Sequence, residues 1–509
     1  MKLSVKAFAL ACGIMGSLAM PFHRALGAGE QPRRRIIVNR DAGLPTQWDK
    51  GREDYVARQL TPLEGTQVDT VFWCFDEGTT AGYESEVREP QRYWETSETA
   101  QGLARAIAQG NDPPKVVVQE AHKRGLEVFY SFRINGHEDS FIPAEIPNFK
   151  KEHPEYTLKG QVPDKVWSAL NFAIPEVRRQ RLAVIQEALD KYDFDGIEID
   201  WMRSPYYFRE HQEYRLRYLL TDMMRAYRRM VDKRSEEVGR RLYLAVRVDE
   251  SMESCLLDGM DVEAWARERL MDILALGSGA TWCDLGTFRR ITEEAGIALH
   301  PCVYAYGAFY KGYPPEVIRG IAANYWAGGP DGMYTFNWST AASPLLDEIG
   351  SPETVAGKDK LFIAYIGYTD APEPYYPHNY LFSPLPAELW PVEAGTPLVV
   401  GLDVADDLAG AGQADRPAGL RFRVVLAEVT GEDQVAVRVN GKELAPASFE
   451  PGAPADCKFA FEGGSLVFEP EASALRTGRN EVELVLVKRR ADAKKPVVVQ
   501  AVDLLVRYR

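Results

Sequence analysis

After residue 20 the sequence has no apolar run of helix length, so no membrane-spanning helix is expected in the mature chain. Cysteine is scarce: Cys12, Cys74, Cys255, Cys283, Cys302 and Cys457 are all there is in 509 residues. Their spacing fits no zinc-ligand pattern and no disulfide framework. Cys74 and Cys302 lie in apolar runs and read as small core residues. There is no glycine-rich phosphate loop after the first strand-like run, which weighs against a doubly wound dinucleotide-binding sheet. Positive charge is in deficit, with a formal net charge of -14. That excess of acid argues against nucleic acid and anionic membranes as partners. No internal repeat is visible. A metal-dependent hydrolase would have to draw on the scattered set Asp41, Asp76, His137, Asp200 and His300. Metal sites on such folds have tighter His and carboxylate motifs, so no metal and no cofactor are expected.

What is present begins with a leader. Lys2 and Lys6 precede an apolar stretch from Ala7 to Met20, and small residues follow at Ala25, Gly27 and Ala28. Residues 1–28 read as a signal peptide, which implies export to the periplasm or beyond. The whole chain, 45% hydrophobic and 26% charged, has the composition of a globular protein.

From Arg35 to Trp338 strand-like and helix-like segments alternate in eight units. Polar residues collect after the strands, while the turns before them are plain Gly or Asp-Gly. That asymmetry predicts an α/β fold, a (β/α)8 TIM barrel over 33–350, with its working face built by the loops after the strands. A Pro- and Tyr-rich stretch, 351–395, reads as a linker wrapping the barrel. Over 396–509 short alternating strands, with a hairpin signal at Asn440-Gly441, predict a C-terminal antiparallel β-sandwich that binds sugar or packs on the barrel.

The most informative run is Asp195-Gly196-Ile197-Glu198-Ile199-Asp200-Trp201-Met202-Arg203. Strand side chains alternate faces, so Ile197, Ile199 and Trp201 should meet the helices while Gly196, Glu198 and Asp200 point into the barrel. Buried carboxylates are costly unless paired. Arg133 and Arg247, on the flanking strands, are the expected partners of Glu198 and Asp200. Asp200 should sit at the rim. Asp249 and Glu250 end the next strand. One carboxylate as nucleophile or base and a second carboxyl group as proton donor are what glycosidic hydrolysis needs. Asp200 is the candidate for the first role and Asp249 or Glu250 for the second. Arg133, Asn135, His137, Glu198, Arg203, Arg247, His300, Tyr304, Asn337 and Trp338 are the expected substrate contacts. The eighth strand is expected to turn Thr335 and Asn337 inward.

Five pieces resemble the glycosyl hydrolase-like 10 family of exported bacterial carbohydrate-degrading systems. They are Phe132-Arg133-Ile134-Asn135-Gly136-His137, His153-Pro154-Glu155, Pro175-Glu176-Val177-Arg178, the run through Arg203, and Asn324-Tyr325-Trp326-Ala327 with the eighth strand. The resemblance spans 33–345 and implies a retaining or inverting glycosidase with Asp200 as its key carboxylate. The chain departs from chitinase-like barrels, which place a catalytic Glu where Met202 stands. The proton donor must therefore come from another strand. A carbohydrate is the expected partner. The alternative is a barrel that binds glycan without cutting it.

Overall fold

The computed structural model describes residues 31–41, 48, 50–75, 80–89, 100–277, 280–303, 309–312, 314–336, 338, 343–366, 377–378, 383–391, 397–410, 416–445 and 448–508. The expected leader lies outside them.

Eight parallel strands form the barrel: β1 (Ile36–Asp41), β2 (Val68–Cys74), β3 (Glu127–Arg133), β4 (Gly196–Asp200), β5 (Tyr243–Val248), β6 (Ile273–Leu276), β7 (Ala298–Pro301) and β8 (Met333–Thr335). Hydrogen-bonded neighbours run in the order β7-β6-β5-β4-β3-β2-β1-β8. The ring is closed by a bridge between Cys302 and Tyr334. Helices cross between the strands. The longest are Pro175–Lys191 and Glu213–Val238. Among the described residues no helix is long and apolar enough to cross a membrane.

β4 is faithful to its alternation. Ile197, Ile199 and Trp201 join the main apolar core with the helices, fully buried. Gly196 is needed for close packing: a Cβ there would stand 2.3 Å from the Phe129 ring and 2.5 Å from the Tyr243 carbonyl. A second, smaller apolar cluster fills the barrel axis and includes Ile37, Phe72, Phe129, Ile273 and Tyr334. Above it the axis turns polar.

The C-terminal strands build two antiparallel sheets. β9 (Lys360–Ile363), β10 (Ala387–Leu389), β12 (Gly419–Ala427), β15 (Ser448–Pro451), β16 (Gly463–Phe468) and β18 (Val497–Arg507) form one, with β9 attached to β18. β11 (Leu398–Val404), β13 (Gln434–Val439), β14 (Lys442–Glu443) and β17 (Gly478–Lys488) form the other. The expected hairpin is there. Asn440 and Gly441 take φ of 52° and 81°, the left-handed pair that a two-residue turn between β13 and β14 requires. One expectation needs correction. The stretch 351–395, read as a linker, contributes β9 and β10 to the six-stranded sheet. Its Lys360-Leu361-Phe362-Ile363 run is strand-like, but four residues between prolines and tyrosines gave too short a pattern to weigh. Across the seam between barrel and sandwich, helix Pro315–Ala327 presents Gly320 to β9 so closely that a Cβ would meet the Leu361 carbonyl at 2.2 Å.

Candidate active site

The polar interior has two tiers. In the lower, Glu198 is fully buried and caged by neutral donors. Tyr334 Oη donates to Glu198 Oε1 at 2.8 Å, and Asn39 Nδ2 to Oε2 at 3.2 Å. The Ser131 hydroxyl also donates to Oε2. The expected arginine partner is not among these donors. Register explains why. Ser131 and Ala245 flank Glu198, whereas Arg133 and Arg247 flank Asp200 one tier higher. Burial, then the charge of Asp200, pushes the Glu198 carboxyl up to about 7. It is therefore protonated in the folded chain at pH values where the unfolded chain, near 4.5, has already ionised. Its contribution to stability is complete below that lower value and is lost as pH rises through about 7. Glu198→Gln cannot ionise and can keep the cage by donating to Tyr334 Oη. Relative to the parent, it should gain on the order of 3 kcal/mol between pH 4.5 and pH 8. Urea unfolding at the two pH values reads this, and parallel curves for the two proteins would refute it.

In the upper tier Asp200 is 0% exposed. Arg247 grips it with two parallel bonds, Nε to Oδ1 at 3.0 Å and Nη2 to Oδ2 at 2.7 Å. The backbone N–H groups of Met202 and Arg203 also donate to Oδ1, at 3.0 and 3.1 Å. Arg247 in turn spends Nη1 on the Gly277 carbonyl, and its guanidinium lies 3.8 Å from the centre of the Phe336 ring. The Arg133 guanidinium also lies over that ring, 5.5 Å from its centre. The side chain of Asp200 thus points inward as expected, but it is sealed within the barrel rather than lying open at a rim.

Asp249 sits beyond β5, also 0% exposed, with neither carboxyl oxygen accepting a hydrogen bond from a conventional donor. Burial, then the charge and hydrogen bond of Asp258, push it well above the usual carboxyl range. Asp258 is likewise pushed up by burial, and its Oδ1 contacts His378 Nδ1. Two buried carboxyl groups face each other here, and a shared proton is the way they can do so. Glu250, 2% exposed, turns aside toward Gly277, where a Cβ would lie 3.2 Å from its Cγ.

The remaining expected contacts divide. Asn135 stitches two loops together: its Oδ1 accepts from Leu170 N at 2.8 Å and its Nδ2 donates to the Tyr206 carbonyl at 2.6 Å. His137 is buried beside the Ser204 hydroxyl, its ring edge-on to Phe141. Burial pushes it down to about 3, so it is neutral. Arg203 is ion-paired with Glu138. Nearby, Lys150 and Asp139 form a fully buried pair at 2.9 Å. Asn135, His137 and Arg203 therefore act as loop staples in this state. His300 belongs to the opposite end of the barrel. Its Nε2 contacts the Arg34 carbonyl, which precedes β1, at 3.1 Å. Trp338 is buried, its backbone N–H donating to Asn39 O. Tyr304 and Asn337 lie outside the described residues. Thr335 is not the inward residue of β8: Tyr334 and Phe336 are, a shift of one from the expected parity. Sequence reasoning missed Asn39, Tyr334, Phe336, Asp258 and His378. Asn39 and Phe336 end strand-like runs and were within reach of a parity count. Nothing in the sequence links Asp258 to His378. Among the described residues no group of three or more His, Cys, Asp or Glu is placed to hold a metal ion.

Solved structures similar to this chain include α-L-fucosidase isoenzyme 2 from Paenibacillus thiaminolyticus, at 12% identity and TM-score 0.38, covering 63% of this chain and 49% of that one. The PgaB glycoside hydrolase domain from Bordetella bronchiseptica matches at 13% identity and TM-score 0.39, covering 63% and 99%. A family 18 N-acetylglucosaminidase from Paenibacillus barengoltzii matches at 11% identity and TM-score 0.34, covering 63% and 99%. The chain spans about half the length of the fucosidase. A comparison with curated proteins finds none that matches. Residues 46–219, which carry β2, β3, β4 and four of the resembling motifs whole, match the family model Glycosyl hydrolase-like 10, as the sequence resemblance implies.

Proposed function

We propose that this chain is an exported glycoside hydrolase acting on a polysaccharide or its oligosaccharides at the C-terminal face of the barrel. Asp249 is the proton donor and Asp200 the carboxylate that attacks or steadies the anomeric carbon. One observation carries the reading: acids on adjacent strands have opposite surroundings. Asp200 faces a guanidinium, while Asp249 faces a second carboxyl group that favours its protonated form. Two carboxyl groups with surroundings this different divide into acid and base. The family-model match over 46–219 supports carbohydrate as the substrate class. Incubating the full chain with a panel of plant, algal and microbial polysaccharides should release reducing ends from at least one.

A second reading, a barrel that binds glycan without cutting it, is favoured by the sealing of the site. Asp200, Asp249 and Glu250 are all at most 2% exposed, so turnover requires the covering loops to part. Binding without release of reducing sugar across the panel would select that reading.

A further inference from the structure

A cleft of about 400 Å3 opens between barrel and sandwich, within the size range of small-molecule sites. Its walls come from the loop after β6, the end of helix Pro315–Ala327, the end of β9, and the facing ends of β11 and β17. Trp282 and Tyr365 form one wall, their rings 5.1 Å apart at 39° and each half-buried. Apolar residues such as Leu285, Ile363 and Val404 line it too, with polar groups from Asp284, Asn324, Asp403 and Thr477. Asn324 is anchored through Nδ2, which donates to the Asp403 carbonyl at 2.9 Å. Its Oδ1 is buried and accepts no hydrogen bond among the described residues. Buried amide oxygens nearly always find a donor. Among the described residues no Lys, Arg or His lines the cleft.

We infer that this cleft is a second carbohydrate site, separate from the barrel mouth, that takes a neutral sugar unit. A pyranose offers a C–H face and an edge of hydroxyl donors. An aromatic wall attracts the first, since its ring face is electron-rich. Asn324 Oδ1 and the Asp284 carboxylate accept from the second, while the Asp403 carboxylate is ion-paired with Arg479 at 2.9 Å. Among the described lining residues there is no cation, and the neighbouring Arg479 is engaged by Asp403, which selects against phosphorylated, sulfated or uronate units. Asn324 and Tyr325 open the Asn-Tyr-Trp-Ala motif, to which the barrel mouth assigns no task. The back of the cleft abuts the mouth acids: Cys283, which lines it, and Glu250 both close on Gly277, where a Cβ would meet them at 3.4 and 3.2 Å. Both domains contribute walls, so the site gives the sandwich a role in holding glycan. The inference does not rest on hydrolysis.

The test titrates the full chain with cellohexaose, maltohexaose, mannohexaose and xylohexaose, and with hexagalacturonate as the anionic control, by calorimetry and tryptophan fluorescence. At least one neutral hexaose should bind. Trp282→Ala and Asn324→Leu should each weaken it at least tenfold, with an unchanged unfolding midpoint for Trp282→Ala. Asp249→Asn should retain this binding, and Trp282→Ala should retain the initial rate on the shortest substrate hydrolysed. The inference is overturned if no neutral hexaose binds, if both cleft variants bind like the parent, or if hexagalacturonate binds more tightly through Trp282.

Discussion

Asp249→Asn should abolish turnover and at the same time make the protein more resistant to alkaline unfolding. Both effects follow from the carboxyl pair. Burial and Asp258 push Asp249 well above the usual range, so the folded chain holds a proton that the unfolded chain releases. For a group raised in this way the contribution to stability is complete below the unfolded value and declines as pH rises. At neutral and alkaline pH the parent is therefore held back by a proton it must retain. An asparagine amide donates to Asp258 at every pH and removes that dependence. The same substitution leaves no proton to deliver to a leaving oxygen, and loss of a general acid costs about 10²- to 10⁴-fold in rate. The measurements are kcat/KM on the best substrate of the polysaccharide panel, and denaturant midpoints at pH 5 and pH 9. Unchanged turnover removes Asp249 from the donor role. A variant that is less stable than the parent at pH 9 contradicts the protonated pair. A buried protonated acid without a catalytic role would give the gain in alkaline stability and leave turnover unchanged.

The outline of this molecule could be read from its residues because strict patterns repeat. Asp195-Gly196 ahead of a five-residue strand fixed the parity of β4, and the interior placement of Glu198 and Asp200 followed from it. What failed were inferences that needed register. Adjacency of strands suggested that arginines flank Glu198. Yet the parallel ladder sets Arg133 and Arg247 beside Asp200, leaving Glu198 to the hydroxyls of Ser131 and Tyr334 and the amide of Asn39. β8 misled for a different reason. Met333-Tyr334-Thr335-Phe336 offers apolar or bulky groups on both faces, so alternation gives no contrast, and a slip of one residue exchanges every side chain. The acidic motif residues were legible as a group, but their burial was not. It is imposed by loops such as 136–174, whose staples Asn135 to Leu170 and Lys150 to Asp139 join residues that share no period. The Asp258 and His378 contact spans 120 positions and lies beyond any local signal.

Arg247→Leu should destabilise the protein by about 3–5 kcal/mol, the cost of leaving a buried charge without its partner. Arg247 and Asp200 are both 0% exposed and joined by two parallel bonds, so water cannot replace the lost guanidinium. The two backbone N–H groups on Oδ1 remain, which keeps part of the carboxylate satisfied. Asp200→Asn strands the guanidinium instead. It should also lose stability, and in the proposed mechanism it loses turnover with it. Replacing both residues, as Arg247→Leu with Asp200→Leu, should cost less than the sum of the single changes, because neither charge is then left alone in the interior. Arg247→Lys keeps the charge but not the parallel geometry, and its long stem cannot reproduce the flat stack on Phe336 at 3.8 Å. It should fall between the parent and the leucine variant. Urea unfolding of the parent, Arg247→Leu, Asp200→Leu and the double variant at one pH gives the coupling energy directly. A single-variant loss below about 1 kcal/mol would place this pair with exposed ion pairs of little worth, and Asp200 would then have to be reached by solvent. A large coupling has the opposite consequence for chemistry. A carboxylate so firmly held is fixed in position before substrate arrives, and it can act only where the sugar is brought to it.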